Sequence, residues 1–198
     1  MKFRNPKDSD KKSKKTIYFV IVIVFLMVSS VVGFVIFSGA GNDDNQTTAD
    51  FEYNGYGFTK LNSGWLTKIN QADVYFDYLP TEVSEINYNK EEKLSISSRV
   101  YLAYDPTERD SNMDFILGKI DQNLRILGYT TNLACINEQN CPDIPIVDCN
   151  NNQNVLLIKI GSGSKIYKQE GCLVIEGKDI IEVSKSSDKF IYSITGVM

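Results

Sequence analysis

Four cysteines, Cys135, Cys141, Cys149 and Cys172, are the residues of this chain whose type and spacing most directly name a chemistry. An even number of cysteines, all in the C-terminal part of the chain, reads as two disulfides wherever the compartment is oxidising. Zinc is disfavoured, because four-cysteine zinc sites use closely paired spacings, whereas the gaps here are five, seven and twenty-two residues. A redox-active dithiol is disfavoured as well, since no Cys-x-x-Cys is present. Histidine is absent from all 198 residues. That removes Ser-His-Asp and Cys-His catalysis, histidine-ligated zinc and haem, and the commonest general base near neutral pH. An enzyme would have to work through carboxylates, and Asp105, Glu108, Asp143 and Asp148 are the candidates, at an apparent strand end and beside the cysteine-bearing loop. Asp105 and Asp143 also precede or follow a proline, Pro106 and Pro142, where aspartate ordinarily makes a turn. No metal ion and no cofactor is expected. Gly161-Ser162-Gly163-Ser164 lacks the lysine of a phosphate-binding loop and reads as a hairpin turn.

Binding is the other chemistry on offer. Aromatic residues supply large contact areas, and ten of the eleven tyrosines together with Trp65 lie beyond residue 50. The first candidates are Tyr56, Trp65, Asn137 and Glu138, the last two in the Cys135 to Cys149 loop, which is too rich in cysteine and proline to be a plain connection. For Tyr56 and Trp65, as for Tyr53, Tyr75 and Tyr78, the competing expectation is packing on a sheet.

The elements that must position these residues follow from periodicity. Phe51 to Tyr53 and Phe58 to Leu61 flank Asn54-Gly55, a favoured hairpin pair, and Asp73 to Leu79 alternates in strand fashion. Leu94 to Tyr104 alternates for longer, with Val100, Leu102 and Tyr104 on one side, until Asp105-Pro106 ends it. The period then becomes helical: Met113, Leu117, Ile120, Leu124 and Leu127 share a stripe, Ser111 with Asp114 forms a variant capping box, and Gly128 provides the stop. Val155 to Ile160, Lys165 to Gln169 and Cys172 to Glu176 read as an antiparallel meander. A second helix is predicted from about Asp179 to Ile194, with Gly196 beyond it. The fold class is α+β, an antiparallel sheet carrying two helices on one face. Four cysteines allow three pairings; the meander favours Cys149 with Cys172, at the same end of two strands that run the same way, and leaves Cys135 with Cys141.

The N-terminal quarter concerns location. Residues 17–37 carry no charge and are mostly Val, Ile, Phe and Leu, a run of 21 residues that matches a bilayer's hydrocarbon core. Lys2, Arg4, Lys7, Lys11, Lys12, Lys14 and Lys15 precede it, and the next basic residue is Lys60. The positive-inside bias therefore predicts a cytoplasmic leader over 1–16, a transmembrane helix over 17–37, a flexible stalk over 38–50 and an exported domain over 51–198. Lipid is thus an expected partner through 17–37. A cleaved signal peptide ending near Ala40 is the alternative, but the apolar run is longer than a typical cleavable one. A pilin-type processing site is absent. Asn45-Gln46-Thr47 fits the N-glycosylation pattern. Residues 51–198 hold 14 basic and 20 acidic side chains, a net of −6, which argues against nucleic acid as a partner.

Phe51-Glu52-Tyr53-Asn54-Gly55-Tyr56-Gly57-Phe58, Gly64-Trp65-Leu66-Thr67, Cys141-Pro142-Asp143-Ile144-Pro145 with Asp148-Cys149, and Asp188-Lys189-Phe190-Ile191-Tyr192 before Gly196 form a pattern over most of residues 51–198. It resembles uncharacterised archaeal single-pass membrane proteins. The resemblance implies an anchored, disulfide-bonded domain and assigns no activity to any residue. The expectation is a membrane-anchored extracytoplasmic domain that is a non-enzymatic binding or envelope-assembly module, with a protein or envelope component as partner. The alternative is a carboxylate-dependent enzyme acting on envelope material.

Overall fold

The computed structural model describes residues 17–24, 26, 49–88, 99–151 and 154–198. The chain divides into two units, Met1–Thr47 and Thr48–Met198. In the first, residues 17–24 and 26 are helical. The leader, the rest of the apolar run, and the stalk up to residue 48, with Asn45 and the position after Ala40, lie outside the described residues. Among the described residues no helix is long and apolar enough to cross a membrane.

The second unit is α+β. Four strands, β1 (Phe51–Tyr53), β2 (Tyr56–Leu61), β3 (Gly64–Ile69) and β4 (Ala72–Phe76), pair antiparallel in sequence order. Two-residue turns join them. Asn54 and Gly55 both have positive φ, as do Asn70 and Gln71, the backbone that matches the twist of a tight hairpin. After a 3-10 turn at Pro80–Val83 come β5 (Asn87–Tyr88), β6 (Arg99–Tyr104), helix α1 (Ser111–Ile126), β7 (Thr130–Cys135), β8 (Val155–Ile160), β9 (Lys165–Gln169), β10 (Cys172–Gly177) and helix α2 (Ile180–Thr195).

These later strands form a second, six-stranded sheet in the order β5-β9-β10-β8-β6-β7. It is mixed: β7, β6, β8 and β10 are mutually parallel, and β9 is antiparallel to β10. The meander expected over 155–176 is therefore corrected, because β10 lies between β8 and β9. The reason is burial on both faces. β10 is buried along its whole length and β8 over Val155–Ile158, whereas β9 carries Lys165, Lys168 and Gln169 and takes an outer place. Gly161–Ser164 is accordingly a connection across β10, not a hairpin turn.

Both helices lie on one face of this sheet. Val100, Leu102, Tyr104, Leu156, Ile158 and Ile175 share a buried cluster with Met113, Leu117, Ile120 and Leu124 of α1 and with Val183, Phe190, Ile191 and Tyr192 of α2. The smaller sheet joins the same cluster through Phe58, Val74 and Phe76, and the Phe76 ring stacks on Tyr192 at 3.9 Å between centroids. On the opposite face Ala103, Ala134, Val155, Leu157 and Val174 are packed by Val147 and Ile136 of the cysteine-bearing loop. That loop is a cover for the second face.

Helix caps show why the helices begin and end where they do. The α1 cap is Asp110, whose carboxylate accepts from Met113 N at 2.8 Å, one residue earlier than the Ser111 and Asp114 box expected. Asp179 caps α2 by accepting from Glu182 N at 2.9 Å, and Gly196 closes it at φ 77°. The cysteines pair as Cys135 with Cys141 and Cys149 with Cys172. Cys172 stands opposite Val155 in the parallel ladder, which brings the starts of β8 and β10 together.

Candidate functional site at the open edge of β7

The residues singled out from sequence are dispersed. Tyr56 and Trp65 lie on β2 and β3, half-buried and packed against the main core, with Lys60 Nζ 4.2 Å from the Trp65 ring centre. Asn137 and Glu138 lie in the loop after β7. Asn137 Nδ2 donates to Asp105 Oδ1 at 2.9 Å, and Glu138 is exposed. Among the described residues no hydrogen bond or ring contact joins the first pair to the second.

Of the four candidate carboxylates, Asp105 and Asp148 close local turns. Asp105 accepts from Thr107 N and Oγ1 at 2.9 and 2.7 Å; burial pushes its carboxyl up, but these bonds and that from Asn137 outweigh it and hold the group below the ordinary aspartate range. Glu108 accepts from Ile160 N at 3.1 Å, and Asp148 from Asn150 N at 2.7 Å. Asp143 is exposed. None of the four lines a described cavity.

A different polar cluster sits inside the core. Lys119 Nζ of α1 donates to Asp188 Oδ1 at 2.8 Å, Asp77 Oδ2 at 2.5 Å and Ser184 Oγ at 2.9 Å. Asp188 Oδ2 also accepts from Asp77 N and Tyr78 N, at 2.8 and 2.9 Å. A serine beside a buried lysine invites comparison with Ser-Lys catalysis, which needs a neutral amine as base. Burial does pull the Lys119 ammonium down, but Asp188 and Asp77 overcome it and hold it above the ordinary lysine value. The ammonium keeps its proton, so the cluster is a clasp between β4, α1 and α2. Its sequence signal was a lysine and an aspartate on the inward stripes of two helices, at Lys119 beside Ile120 and at Asp188 between Ser184 and Ile191.

The clasp also closes the edge of the smaller sheet. Asn123 of α1 completes the cover: its amide donates to Tyr75 O at 2.8 Å and accepts from Tyr75 N at 3.4 Å, as a neighbouring strand would.

β7, the last strand of the larger sheet, is covered only in part. Cys135 turns its N–H and C=O away from β6, to Pro145 O at 2.9 Å and Val147 N at 2.8 Å, whereas Ile136 N points inward to Tyr104 O. Backbone groups alternate along a strand, so Leu133 and Thr131 also point outward. Thr131 O accepts from Arg125 Nη2 at 3.1 Å. No hydrogen bond reaches the outward N–H and C=O of Leu133 among the described residues, and its side chain is exposed.

A groove of about 830 Å³ follows this edge. Asp114, Leu117, Asp121 and Arg125 of α1 form its wall on the helix face. Arg99 and Tyr101, paired in register with Thr130 and Asn132, line the other face, and Ile144 and Pro145 close the far end. Arg109 reaches in from the turn before α1, held by Asp114 at 2.6 Å and by the Tyr104 hydroxyl at 2.9 Å. Three arginines and two aspartates line it, and two of the arginines are paired within the groove, Arg109 with Asp114 and Arg125 with Asp121 at 2.9 Å. It offers a strand backbone, the apolar side chains of Leu117, Leu133 and Ile144, and guanidinium groups.

No family model, curated protein or solved structure matches the chain.

Proposed function

We propose that this chain is a membrane-anchored extracytoplasmic binding module, held by the apolar run at 17–37 with its basic leader in the cytoplasm, and that it engages a protein or envelope component through residues 51–198. The observation that carries this reading is the groove along β7, where the outward N–H and C=O of Leu133 take no hydrogen bond among the described residues and the Leu133 side chain is exposed. The lysine-rich flank and uncharged length of the N-terminal run support the tether. The scatter of the candidate carboxylates gives the enzymatic alternative no constellation to work with.

The test is chemical crosslinking in native membranes, followed by affinity purification and mass spectrometry, with a chain ending at Asp50 as control. A stoichiometric partner recovered with the full chain and lost with the control is the expected result. No partner above the control overturns the proposal.

A further inference from the structure

We propose that Lys119 and Asp188 condense after folding into a side-chain amide, a covalent tie between α1 and α2 whose formation releases one water. The modification is independent of the binding role proposed above.

A plain buried ion pair needs one lysine and one carboxylate, and this cluster holds the further parts of an amide-forming site. Lys119 Nζ, the nucleophile, lies 2.8 Å from Asp188 Oδ1, on a side chain that is 0% exposed. The other oxygen, Oδ2, accepts from Asp77 N and Tyr78 N at 2.8 and 2.9 Å, two backbone donors placed where negative charge develops when the carboxyl is attacked. A second carboxylate oxygen, Asp77 Oδ2, reaches the same amine at 2.5 Å. Ser184 Oγ ties the two together, accepting from Nζ at 2.9 Å and donating to Asp77 Oδ2 at 2.6 Å. Asp77 and Ser184 also line a hollow of about 210 Å³, and the Asp77 side chain is 22% exposed, so the released water has a way out.

The steps balance within these groups. Lys119, an ammonium in the resting pair, passes one proton along its hydrogen bond to Asp188 Oδ1, on a carboxyl that burial already pushes up to about 6. The neutral nitrogen attacks Cγ, and the negative charge settles on Oδ2. Asp77 takes a second proton from nitrogen and delivers it to Oδ1, which leaves as water while the C=O re-forms on Oδ2. The third proton stays on the amide nitrogen, and Asp77 ends as it began. The uncharged pair is a minor state, but one event per chain suffices, and the reacting groups are held together throughout. In water, hydration of the two ions opposes condensation. Here both are already out of water, and the amide removes two buried charges. The ion pair is thus the state of the newly folded chain.

The experiment synthesises the full chain in vitro into lipid nanodiscs and follows its intact mass, with disulfides reduced, over days. The expected product is lighter by about 18 Da, one water. Trypsin then yields residues 110–125, uncut at Lys119, joined to residues 186–189. Lys119→Arg keeps the full mass. Asp77→Asn, folded by circular dichroism, still accepts a hydrogen bond from the amine but carries no proton, and loses the water about 100-fold more slowly. A wild-type chain that is folded by the same criterion and keeps its full mass overturns the proposal. So does a lost water that maps to any other pair of residues, or an equal rate of loss in Asp77→Asn.

Discussion

Lys119 and Asp188 meet at 2.8 Å within the core, on two helices 69 residues apart in sequence, and the Asp188 side chain is 0% exposed. A buried ion pair contributes little by its mere presence, since taking both charges out of water costs nearly what their attraction returns. Here the carboxylate also caps two amides of the chain leaving β4, so the pair fixes where the smaller sheet sits on the helices.

Lys119→Ala is expected to destabilise the domain by about 3–5 kcal/mol, because it leaves Asp77 and Asp188 facing each other without a cation. Asp188→Asn keeps an acceptor for the amides and is expected to cost less, about 1–3 kcal/mol. Urea unfolding followed by the fluorescence of Trp65, the single tryptophan, measures both.

Stability is expected to depend on pH with two opposite slopes. Burial pushes the Asp188 carboxyl up to about 6, with Lys119 opposing the rise. The native state then holds a proton that the unfolded chain releases near 3.8, so stability falls as pH rises from about 4 to 6. Glu176 runs the other way. Burial would raise its carboxyl, but Tyr167, the Ser162 amide, Lys165 and Lys159 together lower it to about 2. Its contribution, up to about 3 kcal/mol, is present above 4.5 and lost as pH falls towards 2. Melting temperature against pH should lose the first slope in Asp188→Asn and the second in Glu176→Gln.

Gly177→Ala is expected to lift α2 from β10. A Cβ at Gly177 would lie 2.2 Å from Val183 N, where backbone cannot yield without moving the helix. Overpacking of this kind costs about 1–3 kcal/mol, and thermal unfolding of the variant checks it.

Replacing Cys149 and Cys172 together by serine should cost about 3 kcal/mol, mainly by freeing the unfolded chain across a separation of 23 residues. The Cys135 and Cys141 pair, separated by six, should cost less. Denaturation with and without reductant separates the two contributions.

Local signals in the sequence carried much of the fold. Asn54-Gly55 marked the first hairpin, the apolar stripe found α1, and Asp179 with Gly196 bounded α2, because turns and caps are decided by a few neighbouring residues. The disulfide pairing was also legible, since adjacent parallel strands and the outer strands of a meander both bring Cys149 near Cys172. The order of the strands was not. The unbroken apolar run Val155-Leu156-Leu157-Ile158 did announce a strand buried on both faces, but which strand lies beside it is a property of the assembled sheet. The strand β7 escaped notice because Thr130-Thr131-Asn132 is polar, and an edge strand need not alternate strongly. The groove depends on that strand and on arginines brought from three elements, so no short stretch of sequence contains it.

The insertion of β10 between β8 and β9 sets an order of events during synthesis. A chain that emerges from its N-terminus can pair β6 with β7 early, but β8 must wait with one flank unfilled until residues 172–177 appear. Through that interval Cys149 also lacks its partner, while Cys141 is near at hand. The last strand to be made is thus a central one, and a chain cut short at Gly171 would lose the middle of its larger sheet and not its margin.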